Sequence, residues 1–245
     1  MANSVTRALR ILELLSKAEK PLLLTTISTA LGIPKSTAHS ILKDLASERF
    51  IELHEPASYT AGLKLFEVGS SYLRMAGVVG VVTPELARLT RTLNVTSHYA
   101  VLDHRDAVYL CKEDPPGLGI QLASSLGARL PAHLTAVGKT CLSWLPEDQL
   151  AEHLAKGSDS TGGLGVEMAE IRRNGYATDD GATALGIQCV AAPVFDLNGM
   201  RGAIGVSYLR GAYASMDEVA PEVMDAAARA SQTLGGQTLG GRAAR

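Results

Sequence analysis

The sequence has few aromatic residues and no long hydrophobic run. Aromatic residues make up only 4% of the 245 residues, so the hydrophobic cores must be built mainly from Leu, Val, Ile and Ala. No run approaches the ~18 uninterrupted apolar residues that span a membrane, and the charged residues near the N-terminus are unlike a secretory signal. We therefore expect a cytoplasmic protein that does not enter a membrane.

Cysteine is also scarce. Cys111, Cys141 and Cys189 are odd in number and far apart, which favours reduced thiols in a cytoplasmic protein. Three thiols alone cannot complete a tetrahedral zinc site, and no histidine stands at ligand spacing from them. The sequence therefore predicts neither a bound metal nor a cofactor.

The net charge is close to zero, with 23 Lys and Arg against 25 Asp and Glu. This balance argues against a protein that simply coats nucleic acid. Residues 1–76 hold nine Lys and Arg against seven Asp and Glu, whereas the remainder holds fourteen against eighteen. The difference is small, but its direction is that of a DNA-binding domain joined to an acidic one.

Helical periodicity dominates the first fifty residues. The apolar residues of segment 5–17 recur at helical spacing, which predicts a first helix. Thr25 stands where the N-cap of a short second helix is expected, and Gly32 suits the left-handed position after its end. Pro34 can open a third helix, because the first helical position needs no N–H.

The third helix has two distinct faces. Its apolar face consists of Ala38, Ile41, Leu42 and Leu45, and the opposite face carries small polar and basic residues at the same spacing. A short helix, a tight turn and such a helix form a helix-turn-helix, whose second helix enters the major groove of DNA. A polar, solvated face on a small helical bundle explains the pattern equally well.

A β-hairpin after the third helix separates these interpretations. Phe50 to Leu53 reads as a strand, residues 55–58 as a turn, and Tyr59 to Ala61 as the returning strand. A hairpin behind a recognition helix is a wing, so the sequence favours a winged helix-turn-helix that binds double-stranded DNA. The residues expected to contact DNA are Arg7, Arg10, Thr26, Lys35, Ser36, Thr37, His39, Ser40 and Lys43.

Three stretches of this region resemble the N-terminal domain of the IclR family of bacterial transcription regulators. They are RALRILELLS, LGIPKSTAHSILKDLASERFIE and YTAGLKLFEVG. The sequence departs from the family at Ser40, where Arg is common in the recognition helix, and at Thr60, where the wing usually has a basic residue. The loss of both cations weakens phosphate and guanine contacts.

The rest of the chain alternates helical and strand-like segments. A helical stripe from Leu63 to Ala76 predicts a helix that links two domains, and Gly77 and Gly80 mark a hinge. Thr83-Pro84-Glu85 has the residue types that begin a further helix. Strand-like runs fall at residues 97–102, 107–111, 190–195 and 203–209, and helical ones near 135–145, 147–155, 166–174 and 216–235.

Strands flanked by helices predict an α/β sensor domain. The predicted class is therefore α+β, with a winged helix-turn-helix over residues 1–62, a linker helix over 63–77 and a GAF-like α/β effector-binding domain over 78–245. The GAF-like fold is implied by the family resemblance, which two further segments carry: LGARLPAHLTAVGKTCLSWLP and GYATDDGATALGIQCVAAPVFDLNG. The second departs at Ala182, where an acid is usual, and the strand after Gly199 looks one residue short.

The resemblance implies a pocket for a small-molecule effector. Its implied residues are Leu122, Leu130, Ala136, Val137, Asp179, Ile187, Cys189, Gly205 and Ser207. Such a cavity has apolar walls, few polar groups and no Arg or Lys. We expect a small organic acid to bind the backbone N–H groups of Ala136 and Val137, while Asp179 and Ser207 bind hydroxyl or keto oxygens.

Enzymatic chemistry has only weak support. His133 and the Gly138-Lys139-Thr140 sequence nearly match a phosphate-binding P-loop, but the first glycine is absent and residues 126–131 are not a clear strand. Asp179 and Asp180 are adjacent and point in opposite directions in an extended segment, so they rarely share one site. We expect one of the two side chains to face inward and the other to be solvated.

Cys189 paired with His98 or His133 could form a nucleophile and base, but no sequence feature brings them together. We therefore predict no catalytic residues and no enzyme. The sequence indicates a transcriptional repressor or activator that acts as a homodimer or a dimer of dimers. The alternative is a small-molecule-binding or catalytic protein whose helix-turn-helix no longer binds DNA.

Overall fold

A computed structural model describes residues 3–117, 124–156 and 163–237. The chain separates into two units, Met1–Ala76 and Gly77–Arg245. Both units combine helices with antiparallel sheet, which confirms the predicted α+β class. Within the described ranges, no helix is long and apolar enough to cross a bilayer.

The N-terminal unit is a winged helix-turn-helix. Its elements are α1 (Ser4–Ser16), β1 (Leu22–Leu23), α2 (Leu24–Leu31), α3 (Lys35–Ser47), β2 (Ile51–His54), β3 (Ser58–Ala61) and α4 (Leu63–Ala76). Strand β3 pairs antiparallel with both β1 and β2. The core between the helices and this small sheet is formed by Ile11, Leu15, Ile27, Ile41, Leu42, Ile51 and Tyr59.

Short-range polar contacts fix the ends of the first helices. The side chain of Asn3 caps α1 by accepting a 2.8 Å hydrogen bond from the N–H of Thr6. Gly32 ends α2 in the left-handed conformation, with φ of 62°, as predicted. In the same turn the Ser28 hydroxyl donates to the carbonyl of Ile33 at 2.6 Å, which sets the direction in which α3 leaves.

The predicted start of the second helix is wrong. Helix α2 begins at Leu24 without a side-chain cap, and Thr25 is already helical. The reason is the unpredicted strand β1, in which Leu22 pairs with Tyr59 of the wing. The chain enters α2 directly from this pairing. Helix α3 begins one residue after Pro34, which is extended and precedes the helix.

The C-terminal unit is a six-stranded antiparallel sheet with helices on both faces. Its helices are α5 (Val78–Leu93), α6 (Ala136–Ser143), α7 (Glu147–Lys156), α8 (Gly163–Asn174) and α9 (Ala220–Thr233). Its strands are β4 (Thr96–Asp103), β5 (Asp106–Glu113), β6 (Arg129–Pro131), β7 (Ala177–Asp180), β8 (Ile187–Asp196) and β9 (Gly199–Leu209), in the spatial order β6-β5-β4-β9-β8-β7.

Alternating residues of β4 show the two faces of this sheet. Ser97 is buried on one face, where its hydroxyl donates to the carbonyl of Leu86 in α5 at 2.8 Å. His98, its neighbour, is buried among Tyr109 of β5 and residues of α6 on the other face. A core cluster that includes Ala136, Val137 and Cys141 packs α6 against this second face.

The predicted helix start at Thr83-Pro84-Glu85 is also wrong. Helix α5 begins at Val78, after Gly77 in the left-handed conformation with φ of 63°, and Gly80 and Pro84 lie inside it. Proline lacks the N–H that would bond four residues back. The neighbouring Thr83 hydroxyl donates to the carbonyl of Val79 at 2.7 Å, and the helix continues through the proline.

Candidate functional site

The predicted DNA-binding residues cluster on α3 and the helices beside it. Along α3 the side chains of Lys35, Ser36, His39, Ser40 and Lys43 are exposed and that of Thr37 is half-buried. Arg10 of α1 and Thr26 of α2 are exposed, and Arg7 is half-buried. The opposite face of α3 is buried in the core through Ala38, Ile41 and Leu42. The polar face is therefore free to meet a ligand.

The cations of this surface have no acidic partner within the described residues. None of Arg7, Arg10, Lys35 and Lys43 forms an ion pair with any residue that the structure describes. On the wing, the hydroxyl of Thr60 lies 2.8 Å from Nε2 of His54. The position that usually carries a basic residue thus contacts a histidine across the hairpin.

A small cavity, partly open to solvent, lies on the α6 face of the C-terminal sheet. It is lined by His98, Tyr109, Ser124, Leu130, Thr135, Ala136, Val137, Asp179, Thr183, Ala184, Ile187, Cys189 and Ser207. Seven of the nine implied effector residues are among them. Among the described residues, no Lys or Arg lines this cavity.

Two implied effector residues are not in this lining. Leu122 lies outside the described residues. Gly205 lies on β9 directly opposite His98 of β4, and a Cβ at this position would be 2.7 Å from Nε2 of His98 and 2.8 Å from Cγ1 of Val137. Gly205 therefore lies behind two lining side chains and makes room for them.

The polar groups expected to hold an effector are bonded within the protein. Asp179 is buried, and its carboxylate accepts hydrogen bonds from the N–H of Ala182 at 2.8 Å and from the hydroxyl of Thr183 at 3.2 Å. Sγ of Cys189 lies 3.1 Å from Oγ of Ser207. Asp179 thus holds the β7–β8 loop over the cavity, while Asp180 is exposed as expected.

Sequence reasoning missed His98 and Tyr109 as lining residues. Their rings pack edge to face at 5.1 Å. Burial lowers the pKa of His98 to about 3, with a further contribution from the positive charge of Lys112. A histidine at an inward position of an otherwise buried strand was the available signal, because a polar residue in such a place needs an explanation.

The elements of an enzyme are not assembled around the cavity. Burial raises the pKa of the Cys189 thiol to about 12, so the thiol stays protonated at neutral pH. Strand β6 does precede the P-loop-like segment, contrary to expectation. However, Lys139 is held by Glu167 at 2.6 Å, and the N–H of Gly138 donates to the hydroxyl of Thr135.

A winged helix-turn-helix joined to an α/β domain that contains a cavity is the architecture of a transcription regulator. Residues 4–55 match the IclR helix-turn-helix domain, and residues 70–232 match the C-terminal domain of the bacterial transcriptional regulator IclR. The chain belongs to the IclR family of bacterial transcription regulators. This membership confirms the predicted regulator and, because the relatives are regulators, the prediction that the chain is not an enzyme.

Relatives agree along most of the chain. The HTH-type transcriptional regulator XynR of Escherichia coli is 35% identical over 205 residues, which are 79% of this chain and 81% of that protein. The transcriptional repressor IclR of E. coli is 31% identical over 206 residues, or 79% and 75% of the two chains.

Solved structures agree on the fold. The IclR structure of Thermotoga maritima is 26% identical with a TM-score of 0.79, over 95% of this chain and 99% of that one. An IclR homologue from Microbacterium hydrocarbonoxydans, complexed with 4-hydroxybenzoate, has a TM-score of 0.84 at 19% identity, over 95% of this chain and 99% of that one.

Proposed function

We propose that the N-terminal domain binds a double-stranded DNA operator and that a small organic acid, bound in the cavity beside α6, modulates this binding. The observation that carries the proposal is the composition of the cavity. Apolar walls surround the first turn of α6, where the amides of Ala136 and Val137 have no acceptor within the helix. An anionic group is stabilised at such a helix start.

The choice of an acid rests on the start of α6 and not on Asp179. Asp179 is the only carboxylate in the described lining, and both of its oxygens already accept hydrogen bonds from the β7–β8 loop. The 4-hydroxybenzoate bound by the Microbacterium homologue, which is an organic acid, is consistent with this choice.

The DNA-binding part of the proposal depends on the face of α3. Lys35, His39, Ser40 and Lys43 are exposed together, and the two lysines have no acidic partner among the described residues. The long, unpaired cations suit phosphate oxygens, and the short polar side chains between them suit base edges. Arg7 and Arg10 add phosphate contacts beside them. A DNA-bound regulator of this kind would act in the cytoplasm.

We also propose that the active form is a homodimer or a dimer of dimers. Helix α4 exposes four large apolar side chains: Leu63, Phe66, Val68 and Tyr72 are each more than half exposed. Several such residues on one helix indicate a surface that another molecule covers. Two copies related by two-fold symmetry would present two α3 helices to two half-sites of an operator.

An electrophoretic mobility shift with the DNA upstream of the protein's own gene tests the proposal. The shift should be measured alone and with four acids in matched pairs, lactate with propionate and 4-hydroxybenzoate with benzoate. We expect a specific shift that at least one acid strengthens or weakens. Failure to shift this DNA at low salt would favour the alternative of a ligand-binding protein whose helix-turn-helix has lost DNA binding.

A further inference from the structure

Two polar side chains that line the cavity have no hydrogen-bond partner. Nδ1 of His98 and Oγ of Ser124 are both buried and unsatisfied in the part of the chain that the structure describes. Their residues are 2% and 5% exposed, so water covers neither side chain to any extent. A buried polar group without a partner is destabilising, and both residues line the same cavity.

The structure holds the imidazole of His98 in this position from several sides. Gly205 is its direct partner on β9, and only the missing Cβ leaves room for the ring, because that atom would lie 2.7 Å from Nε2. The ring packs edge to face on Tyr109 at an interplanar angle of 62°. The imidazole is therefore presented to the cavity in a fixed orientation.

The other polar lining groups already have partners. Asp179 holds the backbone of Ala182 and the hydroxyl of Thr183. Cys189 contacts Ser207, and Thr135 accepts from Gly138. A ligand gains little from groups that must first give up a bond, whereas it gains a full hydrogen bond from each unsatisfied one.

We propose that His98 and Ser124 bind a hydroxyl group of the effector, which makes the effector a hydroxy acid. This inference rests on the proposed function, in which the acid group binds at the start of α6. A hydroxyl both donates and accepts, so it complements an imidazole, which has one donor and one acceptor nitrogen, together with a serine hydroxyl. His98 and Ser124 are then the residues that distinguish a hydroxy acid from its deoxy analogue.

The electrostatic surroundings of His98 support a neutral imidazole in this role. Lys112, the partner of His98 on β5, carries a positive charge and pairs with Asp114 at 3.0 Å. The cavity lining near the ring contains Tyr109 and Cys189, which are neutral at pH 7, and the carboxylate of Asp179. Burial, with Lys112, keeps the pKa of His98 near 3. The ring thus binds as a hydrogen-bonding group and not as a cation.

Titration calorimetry of the full-length protein with the two pairs of acids tests the inference. In the unmodified protein the hydroxylated member of at least one pair should bind about tenfold more tightly than its deoxy partner, the value of one well-formed buried hydrogen bond. Lactate with propionate tests an aliphatic hydroxy acid, and 4-hydroxybenzoate with benzoate an aromatic one. Because His98 remains neutral, repeating the titration in buffers of different ionisation enthalpy should show no proton uptake between pH 6 and 8.

Two variants give the decisive comparison. His98→Phe retains an aromatic ring, and Ser124→Ala removes a small hydroxyl with little risk to folding. Both variants should bring the ratio of the affinity for the hydroxylated acid to that for its deoxy partner towards one. The affinity for the deoxy acid itself should change less than about threefold. A ratio that stays at the unmodified value in both variants would overturn the inference, as would equal binding of the paired acids by the unmodified protein.

The outcomes separate this inference from the proposed function. Acids that bind and change operator binding, but without preference for the hydroxylated member, leave the proposed function standing and contradict the role of His98 and Ser124. Absence of binding by all four acids overturns the acid effector itself, and with it this inference.

Discussion

Gly205 and His98 lie directly opposite each other on β9 and β4, and the glycine is what allows the histidine to line the cavity. A Cβ at Gly205 would lie 2.7 Å from Nε2 of His98, 2.8 Å from Cγ1 of Val137 and 3.3 Å from Cβ of Ala191. The first two distances are shorter than van der Waals contact allows. An alanine at this position must push His98 and Val137 towards the cavity.

Gly205→Ala should therefore weaken binding of the effector acid at least tenfold and lower the free energy of unfolding by about 1–3 kcal/mol, the usual cost of overpacking a core. Calorimetry and urea unfolding followed by the fluorescence of Trp144, the only tryptophan, give the two quantities. Gly80→Ala is the matched control, because Gly80 is inside α5 and no described atom beyond its chain neighbours and the local helix backbone lies within 4 Å of the added methyl group. It should be neutral or slightly stabilising.

Asp179 should stabilise the β7–β8 loop that lies over the cavity. Its carboxylate accepts hydrogen bonds from Ala182 and Thr183, and Thr183 lines the cavity. Asp179→Ala should therefore lower the free energy of unfolding by about 1–3 kcal/mol and weaken binding of the effector acid. Asp180→Ala removes the neighbouring carboxylate, which forms an exposed 2.7 Å ion pair with Arg210, and should cost about 1 kcal/mol or less. Equal losses in the two variants would contradict the role given to Asp179.

Lys43 should contribute one phosphate contact. Its side chain is exposed on the polar face of α3 and forms no ion pair among the described residues. Lys43→Ala should weaken binding to all DNA sequences and reduce the slope of log affinity against log salt by about one. Arg173→Ala, which removes an exposed cation from α8, should leave that slope unchanged. A normal slope in Lys43→Ala would remove this residue from the interface.

Phe66 should contribute to self-association. It is 69% exposed on α4, and burying a phenylalanine contributes about 1.5–3 kcal/mol. Phe66→Glu should shift the protein towards monomers in light scattering at micromolar concentration and weaken operator binding in parallel. Leu185→Glu makes the same kind of change at a loop residue that is 97% exposed and should leave the oligomeric state unchanged. A monomeric unmodified protein that still binds its operator would contradict the proposed dimer.

The sequence was most informative where one local signal determines the structure. The alternation of apolar and polar residues on α3, the left-handed Gly32 and the hairpin that contains Tyr59 each follow from periodicity or turn chemistry, and the structure has all three. Strand β7 was not predicted because it is short, contains two aspartates and lies at the edge of the sheet. The start of α5 was misplaced because Pro84 is tolerated inside that helix.

The cavity shows more clearly what could not be predicted from the sequence. Family resemblance brought seven of its lining residues together, but it could not show which polar groups are already bonded. Asp179 and Ser207 were expected to hold the ligand, and both have partners within the protein. His98 was noted only as a possible base for Cys189, because its position in the cavity depends on the register between β4 and β9, which no local pattern specifies.

The most direct test of the central claim is the affinity for operator DNA, measured by fluorescence anisotropy, as a function of acid concentration. The acid used should be a hydroxylated acid that calorimetry shows to bind the protein. We expect a saturable change in operator affinity of about 5- to 150-fold, the range of coupling between two sites, with a midpoint that moves to higher concentration in His98→Phe. An operator affinity that is the same without acid and at saturating acid would contradict the account.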